Sequence, residues 1–172
     1  MIQNPRLKLT LLYILLLVLD WTGLLSSTGF FHVRLTALYV VIAALFLRPA
    51  PALVLGFGTG LLLDIVFGRF VGLETFFWTF YVSFLSEVAR FFYRSIFLIV
   101  PLAGFSLALF DLYVDGLYRL FRWTDASFVF IIQHAVVPDA LGGMISALIL
   151  YPLMVPALRT LMQERDVSHE EV

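Results

Sequence analysis

Gly60-Leu61-Leu62-Leu63-Asp64-Ile65-Val66-Phe67-Gly68-Arg69-Phe70-Val71-Gly72-Leu73 sets one acid into an apolar run and brackets it with glycines. Leu61 to Phe67, Asp64 apart, are apolar enough for a bilayer. An ionised side chain at that depth costs about 2.5–3.5 kcal/mol on insertion scales, so Asp64 needs a polar contact in the interior. Gly68 and Gly72 mark a tight turn after it. The stretch therefore predicts the end of one membrane helix, a turn and the start of the next.

The rest of the chain fits that reading. Of 172 residues, 62% are hydrophobic, and mean hydropathy is +1.00. Soluble domains are about 45–50% apolar. The excess predicts an all-α integral membrane protein. A net charge of −1 leaves no nucleic-acid footprint. The absence of cysteine excludes disulfides, thiolate metal sites and cysteine nucleophiles.

Hydropathy predicts six transmembrane helices within a single domain over 1–162, spanning about 7–25, 31–47, 52–67, 73–89, 95–120 and 138–158. A charged tail follows over 163–172. The basic start and first apolar run also fit a cleaved leader, but the run continues past Asp20 and Trp21 with no small-residue cleavage site. Arg48-Pro49-Ala50-Pro51 stops the second span. Pro138 suits a first helical turn, so the sixth span is placed from there, with 127–137 as an interfacial or re-entrant approach. A single kinked helix is the competing reading. Six spans put Arg6, Lys8, Arg48, Arg90, Arg94, Arg159 and Arg165 on one side, against Arg34, Arg69, Arg119 and Arg122 on the other. The richer side is expected to be cytoplasmic, with both termini there.

Four acids are candidate pocket or partner contacts: Asp20, Asp64, Glu74 and Asp111. Asp20, beside Trp21, also fits the headgroup level. Glu74 opens the fourth span, where the helix dipole favours a carboxylate. Glu87 has Arg90 three residues on. Asp111, Asp115, Arg119 and Arg122 share one helical stripe. Asp115 has Arg119 one turn away, whereas Asp111 needs a partner from another helix, with Arg34 or Arg69 in reach. His134 and Asp139 flank Pro138, and a solvated loop is their default. Gly56-x-x-x-Gly60 forms a small-residue face for close helix packing, and Gly142-Gly143 offers another. No zinc-protease motif, P-loop or nucleophile elbow occurs. No catalytic residue, metal or cofactor is expected.

Gly60-x-x-x-Asp64-x-x-x-Gly68-x-x-x-Gly72-Leu73 resembles the signature of the rod shape-determining MreD family. The length, the basic start and the ending Tyr151-Pro152-Leu153-Met154-Val155-Pro156-Ala157-Leu158-Arg159 are similar to that family too. Its signature maps onto Gly60, Asp64, Gly68 and Gly72; Arg69-Phe70-Val71 departs from the smaller residues or proline expected in the turn. The resemblance implies a fold like the substrate-binding S components of ECF transporters. It also implies a non-enzymatic inner-membrane scaffold of the bacterial elongation complex. That scaffold would bind MreC and work beside MreB, RodA and a penicillin-binding transpeptidase in peptidoglycan synthesis and cell-shape control. The alternative is a small-molecule or lipid-linked-ligand binding or transporter subunit using an S-component-like pocket.

Overall fold

The computed structural model describes residues 4–23, 34–67, 70–91, 95–125 and 127–170, without the side chains of 90 and 162–170. Among the described residues every regular element is a helix, joined by short turns, with no strand. In order they form α1 (Pro5–Thr22), α2 (Leu35–Ala44), α3 (Pro49–Phe67), α4 (Leu73–Val88), a 3₁₀ turn (Ala89–Phe91), α5 (Ile96–Leu120), α6 (Phe128–Ile131), a π turn (Ile132–Val136) and α7 (Val137–Glu170). Among the described residues, three runs are long and apolar enough to cross a membrane: Pro49–Phe67, Ile96–Leu120 and Phe128–Leu161. Leu35–Ala44 is apolar but shorter.

α2 shows how the sequence organises the bundle. Leu-Thr-Ala-Leu-Tyr-Val-Val-Ile-Ala-Ala has no polar face, and a helix apolar all round belongs inside. Every residue of α2 is buried, and α1, α3, α4, α5 and α7 all touch it. An aromatic group fills the neighbouring space. Trp78 stacks on Phe110 at 5.3 Å, and Phe77 meets Phe110 edge-on at 5.1 Å.

The closest pairing is α3 against α4. A Cβ on Gly56 would lie 2.7 Å from the Trp78 carbonyl oxygen, and one on Gly60 2.5 Å from the Thr75 Cα. Both glycines let backbone meet backbone inside the chain. Gly58, on another face of α3, would meet nothing within 4 Å. α5 and α7 repeat the device through Gly104, whose Cβ would lie 2.6 Å from the Ala140 carbonyl, and Gly143, 2.8 Å from Leu107.

Scattered polar bonds join helices through the apolar interior: Tyr13 to Thr59 (2.9 Å), Tyr81 to Ser106 (2.8 Å) and the Ser86 hydroxyl to the Leu47 carbonyl (2.6 Å). In membrane proteins each such bond contributes about 0.6 kcal/mol.

The helical backbone runs through Pro138 rather than starting at it. Proline removes one N–H and crowds the carbonyl four residues back, here that of His134. The π turn over Ile132–Val136 opens the helix at that point and absorbs both problems. Residues 128–136 thus run into α7 as one continuous helical stretch.

Candidate functional site

Polar side chains gather where α3 turns into α4. Gly72 has φ +109°, a conformation only glycine adopts freely, and it caps α4. A helix start leaves backbone N–H groups without partners. Here the missing acceptor comes from the preceding helix. Asp64 is 1% exposed and takes bonds from the Gly72 N–H (2.8 Å), the Glu74 N–H (2.9 Å), the Thr75 N–H (2.8 Å) and the Thr75 hydroxyl (2.5 Å). The positive end of the α4 dipole adds to those bonds. Asp64 is therefore a cap delivered across a helix hairpin.

Asp20 does the same for α2. Its two oxygens accept the Leu35 N–H (2.9 Å) and the Thr36 N–H (2.7 Å). This is an N-cap from fifteen residues upstream, a role the headgroup-level reading of Asp20 does not contain.

Arg34, just before α2, forms an ion pair with Glu74 through Nη1 and Oε1. Its guanidinium also lies 4.6 Å from the centroid of the Phe110 ring, within cation–π range. Arg34 acts electrostatically on Asp20 and Asp111 as well as Glu74. Glu74 is thus more than a dipole-favoured first-turn residue: it is buried, ion-paired with Arg34 and has the Trp78 indole as a second side-chain partner. Asp111 has Arg34 on one side and Asp139, a side-chain hydrogen-bond partner, on the other. Asp115 binds Arg119 Nε at 2.7 Å within α5.

Arg34, Asp64, Glu74, Phe67, Phe70, Leu73, Phe110, Val114 and Tyr118 line a partly open cavity of about 150 Å³. Behind its Phe70 wall stands an aromatic cluster built by the end of α5. Arg122 takes a left-handed φ of 57°, the Trp123 N–H reaches back to the Tyr118 carbonyl (2.8 Å), and the Arg122 N–H reaches that of Arg119 (2.9 Å). This paired closure reverses the chain after a helix, usually on glycine. It lays Trp123 against Phe70 at 4.6 Å and Phe121 at 4.9 Å. Phe70, Phe121 and Trp123 stay about half exposed, as side chains of an interfacial belt are.

The structure therefore gathers Asp64, Glu74 and Arg34 at one cavity, with Asp111 behind them and Asp20 one helix end away. It does not bring Gly56 to the cavity, and Gly68 and Arg69 lie outside the described residues. His134 is exposed, stacks on Phe130 at 4.2 Å and contacts the Phe130 carbonyl, whereas Asp139 is buried beside Asp111. The pairing of Glu87 with Arg90 involves a side chain outside those described. Arg34, expected as a possible partner of Asp111, pairs instead with Glu74 forty positions away while still acting on Asp111, and Gly104, which carried no signal of its own in the sequence, gains its meaning from Gly143.

Apolar helices packed through glycine faces, with acids spent on helix starts, define a helical membrane protein. The chain belongs to the MreD family: the family model, described as rod shape-determining protein MreD, matches residues 2–161. Its role is thus in determining rod shape, as a structural component involved in the rod-shape complex. No curated protein and no solved structure gives a significant match.

Proposed function

We propose that the chain is a non-enzymatic scaffold of the inner membrane, with six spans and both termini cytoplasmic. In this reading it binds MreC and supports peptidoglycan synthesis by the RodA–transpeptidase synthase, within a complex that includes MreB. An arrangement like the ECF S components is part of the same proposal. The observation that carries it is how Asp64 and Asp20 are used. Each holds a helix start with its carboxylate oxygens, so each stiffens a surface rather than standing free to attack a substrate. Family membership supports it.

The test is co-expression of the full chain with full-length MreC and affinity purification in mild detergent. A complex that survives size-exclusion chromatography is the expected result. Two folded proteins that elute separately at micromolar concentration would sink the reading.

A further inference from the structure

We propose that an apolar cavity between the ends of α2 and α4 and the start of α5 holds one acyl chain of an anionic phospholipid, whose headgroup rests at Arg48. The inference goes beyond the scaffold reading and does not depend on it. Leu45 at the end of α2, Leu85 and Val88 at the end of α4, Ala89 in the turn after it, and Ile99 and Leu102 in α5 line a partly open cavity of about 240 Å³. It is larger than the apolar cavity of about 150 Å³ that stays dry and takes up benzene. Its walls are aliphatic, so water finds no hydrogen-bond partners there. Left empty, such a space destabilises a fold in proportion to its volume. It needs hydrocarbon.

Setting decides which hydrocarbon. α5 is long and apolar enough to cross a membrane, so lipid tails surround the cavity's opening. A partner helix, about 10 Å across, is too thick for this space. An acyl chain is narrow, apolar and already at hand. Two aromatic side chains fix the depth. Phe91 stands two residues past Ala89, and Phe97 one before Leu98, another wall residue. They are 87% and 89% exposed, more than any other large apolar side chain described. Bared aromatic rings at helix ends mark the headgroup level. The cavity therefore lies just beneath that level, where a tail leaves its headgroup.

Charge decides which headgroup. The Ser86 hydroxyl, next to the Leu85 wall, bonds the Leu47 carbonyl at 2.6 Å. That bond ties the end of α2 to α4 and sets the following residue, Arg48, beside the cavity, where it is exposed. Arg90 follows Ala89 in the same 3₁₀ turn. Against these two arginines stands one acid, Glu87, so the local balance is positive. Basic side chains at a membrane surface attract anionic lipid. Tail cavity, aromatic level and basic edge thus follow one another in the order of a phospholipid's own parts.

The experiment uses the full purified chain, reconstituted in vesicles of equimolar phosphatidylglycerol and phosphatidylcholine with matched tails. Native mass spectrometry follows extraction into detergent. One phosphatidylglycerol retained per chain, in preference to phosphatidylcholine, is the expected result. Arg48→Gln removes one surface charge and is expected to lower that retention about fivefold. Ala89→Leu fills the cavity with the chain's own atoms. It is expected to abolish retention and to raise the melting temperature of the lipid-free protein, whereas a merely disruptive change would lower it. Val88→Phe takes its place if Ala89→Leu fails to fold. No retained lipid in the wild type overturns the inference, as does equal retention of the two lipids. Wild-type retention in a folded Arg48→Gln or cavity-filling variant overturns it too. So does loss of retention together with a lower lipid-free melting temperature in both cavity-filling variants.

Discussion

Gly60→Leu is expected to pull α3 and α4 apart and to cost the chain at least about 3 kcal/mol, above the usual range for an overpacked core. The reason is what the new side chain would strike. The first carbon alone would lie 2.5 Å from the Thr75 Cα and 2.9 Å from the Thr75 nitrogen and the Glu74 carbonyl oxygen, all of them backbone. No rotamer change relieves a clash with backbone. The same displacement would withdraw the α4 start from Asp64, so one substitution removes two supports. Gly58→Ala is the control. Its Cβ meets nothing within 4 Å, and alanine is preferred to glycine inside a helix by about 1 kcal/mol. Thermal unfolding in detergent should show a large loss for Gly60→Leu and none for Gly58→Ala. Similar shifts in both would refute the close-packing account.

Asp64→Ala is the second large effect. Four donors lose their acceptor together. Removing one side of a buried charged arrangement typically costs about 3–5 kcal/mol, because the partners stay buried and unmatched. Asp20→Ala removes two bonds at the α2 start, and a lost N-cap costs about 0.5–2 kcal/mol. Asp115→Ala should be mildest. Its partner Arg119 has a 36% exposed side chain one turn along the same helix, and such pairs contribute about 0.3–0.5 kcal/mol. The ranking Asp64, Asp20, Asp115 should appear both in melting temperature and in rescue of rod shape in cells. Equal tolerance of the Asp64 and Asp115 changes would contradict it.

The helical class and the importance of the Gly60–Leu73 stretch were legible in the sequence, because both rest on local pattern. Hydropathy reports apolar runs, and an acid set among leucines demands a partner wherever the chain goes. Which partner is a non-local fact. Glu74 reads as a dipole-favoured first-turn acid until Arg34, forty residues earlier, is seen beside it. Gly104 looks like any membrane glycine until α7 arrives against it. Gly56, Gly58 and Gly60 are alike in sequence, yet the first and last meet α4 backbone while the middle one meets nothing. Pro138 looked like a helix start because proline favours that place; the π turn that lets the helix continue has no sequence mark comparable to it.

The cap that Asp64 lays across the hairpin also bears on biogenesis. α4 has 16 residues, about 24 Å at 1.5 Å per residue against a hydrocarbon core near 30 Å. It carries Glu74, Thr75, Thr79, Ser83, Ser86 and Glu87. Leaving the translocon alone, it would bring bare N–H groups and an acid into lipid. Leaving it behind α3, it finds the carboxylate already waiting. The two helices should therefore integrate as one unit, with α4 inserting efficiently in a glycosylation-mapping assay only when α3 precedes it and Asp64 is intact. Efficient insertion of α4 by itself would show that the hairpin forms after integration instead.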